Sequence, residues 1–90
     1  MGFEFDENKS QSNKVKHGID FVEAQALWND LFRLEFPVFS SDEPRVVLIG
    51  RIGVKIWAAV ITYRGENTRI ISVRRARKKE VEIYEELNRG

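Results

Sequence analysis

The sequence predicts an α+β domain, a small antiparallel β-sheet with packed helices in the order β-α-α-β-β-β-β-α. Three observations carry that reading. β-branched runs between residues 45 and 74 are separated by short glycine-bearing turns. Two helical patterns precede those runs and one follows them. The chain has 90 residues, 42% apolar and 32% charged, which suits one domain over 1–90 and not two.

Phe3-Glu4-Phe5 alternates in polarity and reads as the first strand. Asp6 is placed to cap a helix across Glu7 to Lys16, and Gly18 fits its end. Val15 is the only large apolar residue there, so a surface helix is expected. Asp20 and Glu23 have capping-box spacing and start a second helix, with Val22, Ala26, Leu27 and Trp28 as its apolar stripe and Asn29-Asp30 as its stop. Leu31 to Phe36 reads as a strand ended by Pro37, and Ser40 to Pro44 as a loop. Arg45 to Ile49 is a strand, Gly50 to Gly53 a turn, and Val54 to Tyr63 a strand apolar at odd and even positions, hence central. Thr68 to Arg74 is the last strand. Ala76 to about Asn88 is the last helix, with Ile83, Tyr84 and Leu87 on one face.

Composition removes several function classes. No cysteine and a single histidine leave no disulfide and no nitrogen–sulfur zinc site. No apolar run approaches the roughly 20 residues of a membrane helix. The start, Met1-Gly2-Phe3-Glu4-Phe5-Asp6, is acidic, lacks a signal-peptide core, and has Asp6 where myristoylation wants Ser or Thr. A cytoplasmic domain needing no cofactor is expected.

The net charge of +1 hides a polarised chain. Residues 1–36 carry 4 Lys/Arg against 7 Asp/Glu, residues 37–80 carry 10 against 4, and residues 81–90 carry 1 against 3. The basic centre ends in Arg74-Arg75-Ala76-Arg77-Lys78-Lys79. Cations are poorly placed at a helix start, where the dipole favours anions, so this run points to a polyanionic partner.

Several strings carry a family likeness. They are Phe3-Glu4-Phe5-Asp6, Lys9, Asn13, Lys16-His17-Gly18-Ile19, Phe21 and Glu23-Ala24, then Arg45, Ile49-Gly50, Thr62, Arg64, Arg69-Ile70-Ile71-Ser72, Arg74, Ala76, Glu80 and Tyr84. The chain resembles the BrnT family of bacterial toxins over about residues 3–84. The resemblance implies a RelE-like fold and a ribonuclease that arrests growth by cutting RNA. It also implies a BrnA-like antitoxin carrying a ribbon-helix-helix DNA-binding domain, in a heterotetramer that binds operator DNA.

RNA carries its own nucleophile, the 2′-OH, so cleavage without a metal is chemically open. It needs a base for the 2′-OH proton, a cation for the phosphorane-like state and an acid for the 5′-oxygen. Arginine fits the second task through its bidentate fork. The candidate catalytic residues are Arg74, Arg64, Arg69, His17 and Glu80; the candidate RNA contacts are Lys16, Ser72, Arg75, Arg77, Lys78 and Lys79. His17 is either a proton carrier, the role histidine suits best, or simply the cap of the first helix. Glu80 is either a base or the ion-pair partner of a cation on its own helix. Strand alternation alone sets Arg69 and Arg74, five residues apart, on opposite faces, with Ser72 beside Arg74. A different class stays open: a non-catalytic module whose basic patch binds nucleic acid or an acidic protein. Direct DNA binding ranks last, because no helix-turn-helix pattern is present.

Overall fold

The computed structural model describes residues 2–39 and 43–89, so part of the loop expected over Ser40 to Pro44 lies outside the described residues. β1 (Gly2–Glu4) leads into α1 (Glu7–His17) and a 3-10 helix (Glu23–Asn29). β2 (Leu34–Val38), β3 (Arg45–Ile52), β4 (Lys55–Arg64), β5 (Asn67–Arg75) and α2 (Lys78–Leu87) follow. The strand order is β1-β5-β4-β3-β2.

β2 to β5 form an antiparallel meander, but β1 pairs parallel to β5, so the sheet is mixed rather than antiparallel. Residues 5–66 separate β1 from β5, which gives the crossover a parallel pair needs. Phe3 meets Trp28 edge-on at 4.8 Å, anchoring the short strand.

β4 is the middle strand and is covered on both faces. Trp57, Ala59 and Ile61 join Leu48, Ile70, Val73, Phe21 and Leu27 under the 3-10 helix. Ile56 and Ala58 join Ile49 and Tyr84 under α2. The β3–β4 and β4–β5 hairpin loops have two residues each, Gly53-Val54 and Gly65-Glu66. Each places glycine first, at φ 61° and 59°, where a side chain would be strained and where the turn matches strand twist.

Most boundaries shift by one or two residues from those read in the sequence, and those of β2 and β3 differ for identifiable reasons. β2 begins at Leu34 because Asp30 draws Leu31 and Phe32 into a turn, accepting from the Phe32 N–H at 2.9 Å. It continues through Pro37, which pairs with Val46, because an edge strand has no neighbour needing the missing N–H. β3 runs on through Gly50-Arg51-Ile52, leaving only Gly53-Val54 as the turn.

Polar contacts, not apolar ones, dock α1. Val15 is 90% exposed, while the buried residues are Ser10 and Asn13. Ser10 Oγ accepts from the Phe21 N–H at 2.9 Å. Asn13 donates to the carbonyls of Ile19 and Val73, at 2.8 and 2.9 Å, and accepts from the Val73 N–H at 3.2 Å. A carboxamide carries the donor and acceptor of a peptide group, so Asn13 continues on β5 the pairing that β1 ends at Glu4.

The second helical segment is 3-10, entered through the expected box: Asp20 accepts from the N–H groups of Val22 and Glu23, and Glu23 accepts from that of Asp20. Its end meets α2 through Asp30, which accepts from the Tyr84 hydroxyl at 2.6 Å and the Arg51 N–H at 2.8 Å. Burial and that hydrogen bond push the Tyr84 hydroxyl up to about 12. Val81 and Tyr84 are packed against the sheet, whereas Ile83 and Leu87, read as sharing the Tyr84 face, are exposed. No helix among the described residues is long and apolar enough to cross a membrane.

Asn13→Ala should lower unfolding free energy by about 2–3 kcal/mol, since it orphans a buried β5 N–H and two carbonyls. Val15→Ala on the same helix should stay within about 0.5 kcal/mol. Denaturant unfolding of both variants checks the contrast; equal effects would mean that α1 is not held through Asn13.

Candidate nucleic-acid interface

The register of β5 against β4 shifts once. Ser72 pairs with Val60, but Ile70 pairs with Ile61, leaving Ile71 as an extra residue. The bulge reverses the alternation of β5. Ile70 and Val73 both enter the core under the 3-10 helix. Arg69, Ser72 and Arg74, opposite Thr62, Val60 and Ala58, all take the α2-side face. Arg69 and Arg74 therefore share a face, correcting the assignment that plain alternation gives. They lie about 13 Å apart along the strand, four residues of β4 at about 3.3 Å each.

α2 covers β2, β3 and the first half of β4 through Val81 and Tyr84. Beyond that cover, the floor is Val60, Thr62 and Ser72, and the Thr62 hydroxyl donates to the Pro44 carbonyl at 2.8 Å. Arg64 and Arg69 close one end, sharing Glu4 at 3.9 and 3.5 Å, and Arg64 also reaches Glu43 at 3.7 Å. Arg74 and Glu80 close the other through two parallel hydrogen bonds of 2.7 and 3.0 Å. An apolar groove of about 240 Å³, lined by Phe36, Val38, Val47, Ile49, Glu80 and Ile83, opens beside Glu80.

The other candidates are not gathered there. Arg75 lies on the opposite face, its guanidinium 5.4 Å from the Trp57 ring. Arg77 precedes α2, and its N–H donates to Glu80 at 2.8 Å. A guanidinium has no acceptor to return the bond, so only the Glu80 half of the capping box acts. Lys78 and Lys79 are exposed on the first turn of α2. Lys16 and His17 are exposed on the last turn of α1, and among the described residues neither forms an ion pair or hydrogen bond with the arginine face.

Arg74 and Glu80 are mostly buried, 24% and 20% exposed, and the pairing decides their charge. The Arg74 hydrogen bonds hold the Glu80 carboxyl below its ordinary value of 4.5 against the desolvation that opposes them, and the Arg77 N–H adds to the effect. Glu80 is thus a fixed carboxylate that aims Arg74, and its partner is a strand arginine rather than a cation of its own helix. Sequence reasoning passed over Glu4, because only the β1–β5 pairing brings it beside Arg69.

These elements define a small α+β protein with one sheet face set with carboxylate-held arginines. A family model described as the ribonuclease toxin BrnT of type II toxin–antitoxin systems matches residues 5–80. The chain belongs to that family, and a type II system implies an antitoxin partner. No curated protein matches the chain.

The Glu80 shift fixes a pH dependence. A carboxyl lowered on folding adds stability that is full above its unfolded value and is lost as pH falls through the folded one. Glu80→Gln should therefore flatten the loss of stability below about pH 4.5. Unfolding free energies measured from pH 7 to 3 check this; an unchanged acid limb would mean that the pair is not coupled to folding.

Proposed function

We propose that this protein is a cytoplasmic, metal-independent, RelE-like endoribonuclease that arrests growth by cutting RNA, and that a BrnA-like ribbon-helix-helix antitoxin neutralises it. The observation that carries the reading is the bulge-made set of Arg69, Ser72 and Arg74 on one face, with Arg74 aimed by Glu80. Arg74 is the group for the charge that builds on the phosphorane oxygens, since its fork is already oriented and keeps its proton throughout. Arg69 and Arg64, at the far end, hold neighbouring phosphates so that the 2′-OH stays in line with the scissile bond. The exposed Lys78 and Lys79 extend the positive field beyond Arg74, while Lys16, Arg75 and Arg77 serve as outlying RNA contacts. Glu80, already deprotonated, positions Arg74 and cannot act as the acid. His17 supplies a proton carrier only if the RNA reaches the end of α1.

Arg74→Ala should still fold, with some loss of stability from the unpaired Glu80, and lose about 10²–10³ in cleavage rate. Cleavage by the unmodified protein should persist in EDTA and leave a 2′,3′-cyclic phosphate. Undiminished toxicity of the variant at equal expression removes Arg74 from the chemistry. Activity lost in EDTA and restored by magnesium removes the metal-free mechanism.

The partner side follows from charge and groove. An inhibitor that covers the Arg74 to Lys79 region needs acidic side chains for capture and apolar ones for the groove beside Glu80. The complex would be a heterotetramer that also binds operator DNA. Association should slow as salt rises, because steering is screened over about 8–10 Å, while dissociation should respond less. Replacing Arg77, Lys78 and Lys79 together by Glu should slow association and weaken RNA binding. Wild-type association rates for that variant across a salt series would place neutralisation on another face.

A further inference from the structure

We propose that Arg45 is a further phosphate-binding residue, part of an RNA-backbone track that crosses β5, β4 and β3 on the α2-side face. The proposal rests on the ribonuclease reading above and extends it to a residue that reading does not use.

Register places Arg45. On β3, Val46 and Leu48 pack into the core under the 3-10 helix, whereas Val47 and Ile49 pack on the α2 side. Alternation puts Arg45 with Val47, on the face of Arg69, Ser72 and Arg74. It pairs with Val38 on β2, and the next β4 position beyond the Val46–Ile61 pair is Thr62, itself opposite Arg69. Arg45 and Arg69 thus stand on either side of Thr62, about 10 Å apart at two strand spacings.

Hydrogen bonding sets Arg45 apart from the other arginines of that face, although Arg33 also has a buried Nε–H without an acceptor. Arg64, Arg69 and Arg74 each meet a carboxylate. Among the described residues Arg45 forms no ion pair, and its buried Nε–H has no acceptor. A guanidinium keeps its proton, so the unmet donor and its charge cannot be relieved by titration. An anionic oxygen at the half-buried guanidinium meets that charge. Glu4 and Glu43 already face other arginines, and the track leads toward the arginines assigned to RNA phosphates. A backbone phosphate at Arg45 also lies well away from Arg74. Its contact is then the same in the ground and transition states, and it acts on binding rather than on the chemical step.

The test measures binding of a single-stranded 2′-O-methyl RNA, which lacks the nucleophile, to the full chain between about 50 and 200 mM salt. Cleavage of the unmodified RNA is followed in parallel, and circular dichroism checks folding. Each phosphate contact on a single strand contributes about 0.7 to the slope of log K against log salt, so Arg45→Gln should flatten the slope by that amount. Arg45→Lys, which keeps the charge, should restore most of it. KM of Arg45→Gln should rise about tenfold, the scale of one charge-assisted hydrogen bond, with the loss falling on KM more than on kcat. An unchanged slope in a folded Arg45→Gln protein, or a loss confined to kcat, overturns the role of Arg45 while leaving the ribonuclease reading standing. Failure of the unmodified protein to bind and cut RNA overturns both.

Discussion

One extra residue in β5 gathers the arginines of the candidate site on one face. Side chains alternate with period two, so without the bulge at Ile71 the strand could not bury both Ile70 and Val73. Nor could it present both Arg69 and Arg74 on the α2-side face. With it, the apolar pair stays inside and the two arginines join Ser72 outside. The strand is also held just past the irregularity. Both backbone groups of Val73 are taken by Asn13, so α1 clamps β5 from its open edge. A helix nearly devoid of apolar residues thus has a definite task, and its polarity is what lets it perform that task.

Gathering arginines on one face carries an electrostatic cost, and the fold meets it with three carboxylates from separate places in the chain. Glu4 arrives by the parallel docking of β1, Glu43 precedes β3, and Glu80 comes from α2. The contacts at the Arg64 end are long and half-exposed, the kind worth little and readily exchanged. The Arg74–Glu80 contact is short, bidentate and mostly buried. The two ends therefore differ in stiffness: Arg64 has room to follow a ligand, while Arg74 is fixed before any ligand arrives.

Much of this was legible in the residues, and the losses have physical causes. The α+β class, the central β4 and the cap of α1 follow from local patterns, and those patterns acted locally. The parallel β1–β5 pair was not legible, because nothing in Phe3-Glu4-Phe5 names a partner more than 60 residues away. The 3-10 segment was read as an ordinary helix, since its cap residues and apolar stripe suit either. The bulge was the costliest omission. A β-branched run such as Arg69-Ile70-Ile71-Ser72-Val73-Arg74 shows no glycine or proline to mark an insertion, and plain alternation then splits the arginines wrongly. Arg45 stood among the residues that carried the family likeness, yet only the register of β3 placed it on the arginine face.

Glu80 also joins the site to the stability of α2. Its Oε1 accepts from Arg74 and from the Arg77 N–H, the first donor of the helix. Glu80 takes only two of the guanidinium donors of Arg74, so a phosphate would meet a remaining N–H while the pair keeps its aim and the helix start stays capped. Residues 77–79, all cationic, oppose the helix dipole at that end, and Glu80 supplies the compensating negative charge in the first turn. Removing Glu80 therefore takes away both the aim of Arg74 and the anion that offsets three cations at the helix start. The two effects separate in kind: the first bears on the proposed RNA contact, the second on folding.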